Sequence, residues 1–187
     1  MEKERCSWCG NDTLYMAYHD EEWGVPVYDD AILFEFLLLE TFQAGLSWIT
    51  ILKKRENFRK AFDGFDYKII ATYTPSNIES LLNDTGIIRN KLKIHSAVTN
   101  AIAFQKIQRE FGTFSSYIWA YVDGKPLQNN LKSMTDIPPN TSLSDTISKD
   151  LKNRGFKFVG STVIYAHMQA TGMVNDHIMS CFRYKEV

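Results

Sequence analysis

The segment from Asp30 to Phe42 constrains the fold more than any other part of this sequence. Its apolar residues cover most of the circumference of a helix, and Glu35 and Glu40 are the acidic interruptions within it. A helix that is apolar on nearly all sides must be surrounded by other elements, because only then is its surface removed from water. The segment therefore predicts a buried helix, and a chain of 187 residues is long enough to enclose it within one domain, residues 1–187.

The rest of the chain also follows helical spacing. Ser47, Thr74 and Thr113 are suitable N-cap residues for three further helices, and Gly112 is a suitable stop. A helix over residues 48–62 is predicted to carry its basic residues on an outer face, namely Lys53, Lys54, Arg55, Arg59 and Lys60. The remaining predicted helices cover residues 75–85, 89–111, 114–122, 144–153 and 161–170, with a loop over 125–141. Because no alternating run is long enough for a confident strand, the predicted fold class is all-α.

Several protein classes are excluded or disfavoured at this stage. No apolar run approaches the ~20 residues that span a bilayer. The first residues are polar and charged, so no secretory signal is expected. Three cysteines without such a signal favour a reducing compartment over a disulfide framework. A cytoplasmic location is therefore expected.

Charge is distributed unevenly along the chain. Residues 1–52 carry 2 basic and 10 acidic side chains, whereas residues 53–187 carry 19 basic and 12 acidic ones. This asymmetry suggests a face for a polyanion in spite of a formal net charge of −1. Chance explains the asymmetry equally well, because charges that are separated along the sequence can be mixed again on the surface of the folded protein.

Metal-competent side chains lie at both ends of the chain. His177 and Cys181 are one helical turn apart, and with Cys6 and His19 they would complete a tetrahedral zinc site that joins the termini. Cys6 and Cys9 also have the spacing of a zinc knuckle, and a site using both would leave Cys181 spare. A third possibility is that the cysteines are small buried apolar residues.

A carboxylate and several aromatic residues form a second candidate site. Glu40 ends the apolar run, and an unpaired buried carboxylate is costly unless a cationic or donor-rich partner approaches it. Aromatic residues are concentrated in residues 15–26 and recur at Trp48. Flat rings beside a carboxylate make a pocket for a planar cation. The alternative is a core helix whose last residue reaches solvent.

A third candidate site is the predicted hairpin around Gly86. Arg89, Lys91 and Lys93 open the helix that follows it. Backbone N–H groups at a helix start, with cations nearby, hold a phosphate without reading sequence. A plain helical hairpin accounts for the pattern almost as well.

Six segments in chain order carry a resemblance that covers nearly the whole chain. They are residues 18–26 (YHDEEWGVP), 43–56 (QAGLSWITILKKRE), 86–89 (GIIR), 149–152 (KDLK), 154–160 (RGFKFVG) and 175–177 (NDH). Together they resemble the DNA-3-methyladenine glycosylase I family, a divergent branch of the helix-hairpin-helix DNA glycosylases. The hairpin of that fold would lie near residues 78–100.

The resemblance implies one structural zinc ion per chain, Zn2+, held by Cys6, His19, His177 and Cys181. Cys9 falls where the family does not require a cysteine. Four protein ligands leave no open position on the metal, so the ion would stabilise the fold rather than activate water.

The resemblance also implies roles for the pocket and for the DNA-facing residues. Glu40 would hydrogen-bond the adenine edge as the catalytic residue. The substrate-binding aromatics would be Tyr18 and Trp48, with Trp8 and Trp23 nearby. The residues implied to contact DNA are Gly45 and Leu46, which fill the space left by the flipped nucleotide, and Gly86, Arg89 and Lys157, which lie at phosphates.

The implied activity is hydrolysis of the N-glycosidic bond of 3-methyladenine in double-stranded alkylated DNA. The chain would act as a monomer away from membranes, leaving an abasic site and the free base. The family is described as lacking a catalytic aspartate after the hairpin, and Asp123 receives no role. Thr41 and Phe42 depart from the small and polar pair expected there. Three other functions are weighed: a DNA-binding module without chemistry, a zinc hydrolase, and a purely structural helical protein.

Overall fold

The computed structural model describes residues 3–187, and these are mostly helical. This agrees with the predicted all-α class. The α-helices are α1 (Thr13–Glu21), α2 (Asp30–Gln43), α3 (Trp48–Leu52), α4 (Arg55–Ala61), α5 (Tyr67–Ile70), α6 (Pro75–Asn83), α7 (Lys91–Phe111), α8 (Phe114–Trp119), α9 (Ser142–Asn153) and α10 (Ser161–Ala170).

Helix α2 is the buried helix that the sequence predicts. Every residue from 33 to 42 is buried, and α3, α7, α8 and α10 pack around it. The side chain of Asp29 caps its start by accepting from the backbone N–H groups of Ala31 and Ile32. Burial on all sides removes both Glu35 and Glu40 from solvent, each at no more than 6% exposure.

The prediction of one helix over residues 48–62 is wrong. The helix is interrupted at Lys53 and Lys54, which separate α3 from α4. Arg55 and Arg59 lie 2.7 Å from the Glu35 carboxylate on α2, so they do not share an outer face. A buried carboxylate needs such partners, which explains why this side of α4 packs against α2 and does not form part of an outer basic face.

Other helix ends lie a few residues from their predicted positions, because nearby side chains and turns set them. Helix α7 begins at Lys91 rather than residue 89, because the side chain of Asn90 accepts from the backbone N–H of Lys93 and serves as the N-cap. Helix α6 ends at Asn83, and α8 continues through Val122 only as a 3₁₀ turn. Helix α1, capped by Asp12, has no counterpart among the predicted helices.

Two short strands, β1 (Leu127–Gln128) and β2 (Val174–Asn175), pair in parallel with Leu127 opposite Val174. Strand β1 lies in the segment predicted as a loop, which is otherwise irregular apart from a 3₁₀ turn at Met134–Asp136.

The segment after α10 returns to the start of the chain. The N–H of Phe182 donates to the Glu4 carbonyl at 2.9 Å, and the N–H of Gly24 donates to the Gln169 carbonyl at 3.0 Å. Gly172 makes the closest approach, since a Cβ there would lie 2.4 Å from the backbone of Val25 and Pro26. These contacts bring residues from both ends of the sequence to one side of α2. Among residues 3–187 no helix has the length and apolar character that crossing a membrane requires.

Candidate active site and metal centre

A cavity of about 440 Å³ opens between α1, α2, α3 and α10. We call it the aromatic pocket. Its lining residues are Trp8, Tyr15, Tyr18, Trp23, Glu40, Gln43, Trp48, Met134, Ile137, Pro138, Pro139, Ala166 and Gln169. All five pocket residues named from the sequence therefore meet here, although they come from four separate segments. The volume lies in the range of small-ligand sites.

Glu40 is the only acidic side chain among the described residues that line the aromatic pocket. It is 3% exposed, and its Oε2 has no hydrogen-bond partner. Burial raises the pKa of this carboxyl from 4.5 to about 8, because no nearby cation offsets the lost hydration. The alternative that Glu40 reaches solvent at the helix end is thus wrong. The pocket holds a carboxyl group whose ionised form is stabilised only when a cation or hydrogen-bond donor enters.

The aromatic rings form a continuous wall beside Glu40. The ring centroids of Trp8 and Trp23 are 5.0 Å apart, those of Trp8 and Tyr18 6.2 Å, and those of Tyr18 and Trp48 5.4 Å. The Nε1 atoms of Trp8 and Trp48 are buried without partners. Burial also raises the pKa of Tyr18, so its hydroxyl stays protonated. The wall provides faces for stacking and donors for a polar ring edge.

Several lining residues were not singled out from the sequence. Tyr15 lies three residues before Tyr18 on α1 and shares its face, a relation that becomes visible only once Asp12 is recognised as a helix cap. Ala166 and Gln169 have the same spacing on α10. The remaining wall comes from the loop over residues 134–139, whose polar, proline-containing sequence carries no signal of a site.

The second cluster joins the two ends of the described chain. Cys6, His19, His177 and Cys181 are all buried, and their ligand atoms lie within 4.8 Å of one another. Sulfur-to-nitrogen distances are 3.7 Å from Cys6 to His177, 3.5 Å from Cys181 to His19 and 3.4 Å from Cys181 to His177. Tetrahedral zinc bonds of 2.0–2.3 Å separate such atoms by about 3.6 Å. The donor set and its spacing therefore fit a metal ion.

Neighbouring groups orient both imidazoles toward the centre of this cluster. His19 Nδ1 lies 2.8 Å from Asp20, and its Nε2 faces the cluster, where the Cys6 N–H lies 3.3 Å away. His177 Nε2 lies 3.0 Å from the Trp23 carbonyl, which leaves Nδ1 for the thiols. Such outer hydrogen bonds commonly fix metal-binding histidines.

Cys9 is not part of the cluster. Its Sγ lies 3.1 Å from the Cys6 carbonyl, in the position of a thiol donor to a backbone oxygen. The alternative that pairs Cys9 with Cys6 and leaves Cys181 spare is therefore not what the described residues form.

A tight turn connects α2 to α3 beside the aromatic pocket. Ala44 has φ −45° and ψ 115°, Gly45 has φ 85°, and the N–H of Leu46 donates to the Gln43 carbonyl at 2.6 Å. These values define a type II turn, which favours glycine at its third position. We call residues 43–46 the Gln43–Leu46 turn. Leu46 is 41% exposed at its tip, so an apolar side chain projects from the surface.

The hairpin between α6 and α7 contacts the start of α4. The Gly86 carbonyl accepts from Lys54 Nζ at 3.0 Å and from Asn57 Nδ2 at 3.3 Å. Arg89 is exposed just before α7. Lys157 is also exposed, and its backbone is tied to the Asn100 side chain of α7 by hydrogen bonds in both directions. Arg89 and Lys157 are thus both available to an anion.

Lys93 differs from the expectation that it opens the helix as a phosphate-facing cation. It is 6% exposed, and its Nζ donates to the carbonyls of Phe42 at 2.9 Å and Ala44 at 2.6 Å. Its position on α7 turns it toward the end of α2, where the last carbonyls of the helix lack partners within the helix.

Fold and site together define a class: a helical protein with an aromatic pocket that suits a flat cationic ring and basic residues beside a helical hairpin. Comparison with known proteins specifies this class further. The model of the methyladenine glycosylase family matches residues 8–184. DNA-3-methyladenine glycosylase 1 of Escherichia coli K12 is 48% identical over 181 residues, covering 97% of each chain.

Solved structures agree with this result. A crystal structure of 3-methyladenine DNA glycosylase I matches with a TM-score of 0.93 and 50% identity, covering 96% of this chain and 98% of that one. A single-substitution variant of 3-methyladenine DNA glycosylase I, solved in complex with 3-methyladenine, matches with a TM-score of 0.93 and 35% identity, covering 95% and 96%. The chain belongs to the methyladenine glycosylase family.

Proposed function

We propose that this protein is a monofunctional DNA glycosylase that removes 3-methyladenine from alkylated double-stranded DNA. It hydrolyses the N-glycosidic bond and leaves an abasic site. The observation that carries the proposal is the unpaired Glu40 carboxyl inside the aromatic pocket. Family membership and the relative solved with 3-methyladenine support the same substrate.

The chemistry of the lesion matches the pocket. Methylation at N3 places a positive charge on adenine and makes it a good leaving group without protonation by the enzyme. Glu40 accepts a hydrogen bond from the exocyclic amine, and its negative charge stabilises the cationic ring while Tyr18 and Trp48 stack on it. Unmodified adenine offers the same amine but lacks the positive charge that stabilises the ionised Glu40 carboxylate, so it gains less free energy in the pocket. Discrimination follows from this difference.

The rest of the reaction is assigned to water. No lysine occurs among the described residues that line the aromatic pocket. Strand cleavage needs a lysine amine that forms a Schiff base with the sugar, so it is not expected here. Asp123, in a left-handed turn after α8, is not among the lining residues and receives no role. Water attacks the sugar cation that forms as the base departs.

Entry of the base into the pocket requires that it leave the duplex. We assign Leu46, presented by Gly45 in the Gln43–Leu46 turn, to the space that the flipped nucleotide vacates. The hairpin between α6 and α7 acts as the helix-hairpin-helix element, with backbone near Gly86 and the side chains of Arg89 and Lys157 at phosphates.

Zn²⁺ is the metal proposed for Cys6, His19, His177 and Cys181. Two thiolates and two imidazoles complete its coordination, so it supplies a cross-link between the chain ends and no reactive water. The ligand His177 also holds the backbone of Trp23, a pocket residue. The single domain, the monomeric state and the cytoplasmic location remain predictions.

The proposal is tested by chromatography of the bases released from N-methylated duplex DNA. We expect the protein to release 3-methyladenine but not 7-methylguanine, and Glu40→Ala to lower the rate about 10- to 100-fold. Glu56→Gln, an exposed carboxylate on α4, is the matched control and should leave the rate unchanged. A folded, metal-loaded protein that binds DNA and releases no base contradicts the proposal and supports a DNA-binding module instead.

A further inference from the structure

Lys93 is a buried cation that no step of the proposed reaction uses. It comes from the first turn of α7, yet both of its acceptors lie about fifty residues earlier in the chain, at the end of α2. Burial lowers the pKa of its ammonium, which is the direction expected for a charge taken out of water without a carboxylate partner. Placing a cation there is costly, so its two short hydrogen bonds need an explanation.

The two acceptors lie on either side of Gln43, where the helix ends and the turn begins. Phe42 is still within α2, and Ala44 is the second residue of the Gln43–Leu46 turn. One ammonium that holds both carbonyls fixes the direction in which the chain leaves the helix. Glu40 lies one turn before this point and Leu46 lies just after it. Lys93 thus holds the piece of backbone that joins the carboxylate to the exposed apolar tip.

The same residue also connects these parts to the hairpin. The N–H of Lys93 is capped by Asn90, which immediately follows Arg89. A continuous set of hydrogen-bonded contacts therefore runs from the hairpin through the start of α7 to the Gln43–Leu46 turn.

We propose that Lys93 is a positioning residue for base excision: it sets the Gln43–Leu46 turn so that Leu46 enters the duplex while Glu40 stays in the pocket. This inference rests on the proposed glycosylase function. It concerns the coupling of DNA to the pocket and not the pocket itself. Loss of the ammonium should therefore affect DNA and the free base differently.

The experiment compares wild type, Lys93→Met, Lys93→Gln and the control Lys106→Met, an exposed lysine further along α7. Single-turnover release of 3-methyladenine from duplex DNA is measured beside binding of free 3-methyladenine, followed by tryptophan fluorescence. Lys93→Met should slow release about 10- to 100-fold, because small misplacements are enough for that loss. Binding of the free base should stay within about twofold in every variant, since Lys93 is not among the residues that line the aromatic pocket.

A double-mutant cycle with Leu46→Gly separates positioning from general stabilisation. If Lys93 acts through Leu46, the combined variant is no slower than the worse single variant, whereas independent effects multiply. Two results overturn the inference: rate losses that multiply in the combined variant, or a Lys93→Met rate equal to that of wild type. Neither result contradicts the glycosylase proposal as long as wild type is active. Should Lys93→Met not fold, Lys93→Gln is judged by the same criteria. A wild type that releases no base contradicts the glycosylase proposal itself.

Discussion

Glu40 shows how the environment of one residue changes its chemistry. A glutamate at the end of an apolar helix can lie in a buried pocket or reach solvent, and the sequence does not decide between these two positions. The structure closes its surroundings with Tyr18 and Trp48 and supplies no cation, so the pKa of the carboxyl rises to about 8. The group is mostly protonated at neutral pH until a cationic ring enters, and uptake of that ring is therefore linked to loss of a proton.

Replacing Glu40 with glutamine should stabilise the free protein at high pH. The folded-state pKa lies above the unfolded value of 4.5, so Glu40 favours the folded state below pH 4.5 and this contribution is lost as the pH rises through 8. Near pH 8 the free energy of unfolding of the variant should exceed that of wild type by about 3 kcal/mol. This value already includes the cost of about 1–2 kcal/mol for burying an unpaired amide, which reduces the gain.

Urea unfolding at pH 5 and pH 8 measures this difference. The gain should nearly vanish at pH 5, and a gain that is equal at both values would show that the Glu40 carboxyl is not desolvated. Excision by Glu40→Gln should fall at both values, which is the usual conflict between stability and activity at a site.

At the scale of elements, α2 and α4 are joined by a charge network that helical periodicity hides. The Glu35 carboxylate on α2 forms ion pairs with Arg55 and Arg59 from α4. Arg55 also forms an ion pair, at 2.7 Å, with Glu22, which follows α1. The sequence shows these arginines as part of a basic helix face. In the structure two of them pair with Glu35, the only buried carboxylate on α2 that has partners among the described residues.

Glu35→Gln should lower the free energy of unfolding by about 2–3 kcal/mol, because it leaves the guanidinium of Arg55 partly uncompensated in a site that is mostly buried. The matched control is Glu56→Gln, whose partner is also Arg59 but whose carboxylate is 72% exposed. The control should cost less than about 0.5 kcal/mol. Equal costs in denaturant unfolding would mean that burial does not distinguish the two pairs.

At the scale of the whole molecule, the cluster of two cysteines and two histidines brings distant parts of the chain together. The chain ends meet at Cys6, His19, His177 and Cys181, and Trp23 lies between this cluster and the aromatic pocket. A cross-link between distant positions stabilises chiefly by restricting the unfolded chain, and the core around α2 provides stability independently of it. Removal of the metal should therefore weaken the fold without abolishing the core.

Metal analysis of the purified protein should find one zinc ion per chain, and chelation should lower Tm by about 10 °C, the shift expected for a loss of about 3 kcal/mol in a chain of this size. His177→Ala should reproduce the shift without a chelator. The control His95→Ala changes an exposed imidazole on α7 and should leave both the zinc content and Tm unchanged. A metal-free protein with the same Tm contradicts the zinc assignment.

The sequence by itself determined the elements whose cause is local. Apolar residues around the whole of α2 indicate burial, and Thr113 marks the start of α8 because its hydroxyl accepts from the backbone N–H of Ser116. The motifs also predicted the five aromatic and acidic residues that meet in the pocket, since those rest on residue type and order. The roles of these residues remain proposals.

Only the tertiary structure decided features that depend on distant partners. Neither the inward turn of Lys93 nor the pairing of Arg55 with Glu35 has a local signal, because the acceptor belongs to another helix. The loop over residues 134–139 becomes a pocket wall only when α10 brings the chain back beside it. Periodicity reports which face of a helix is apolar, whereas burial of a charge is settled by the partner that folding places against it.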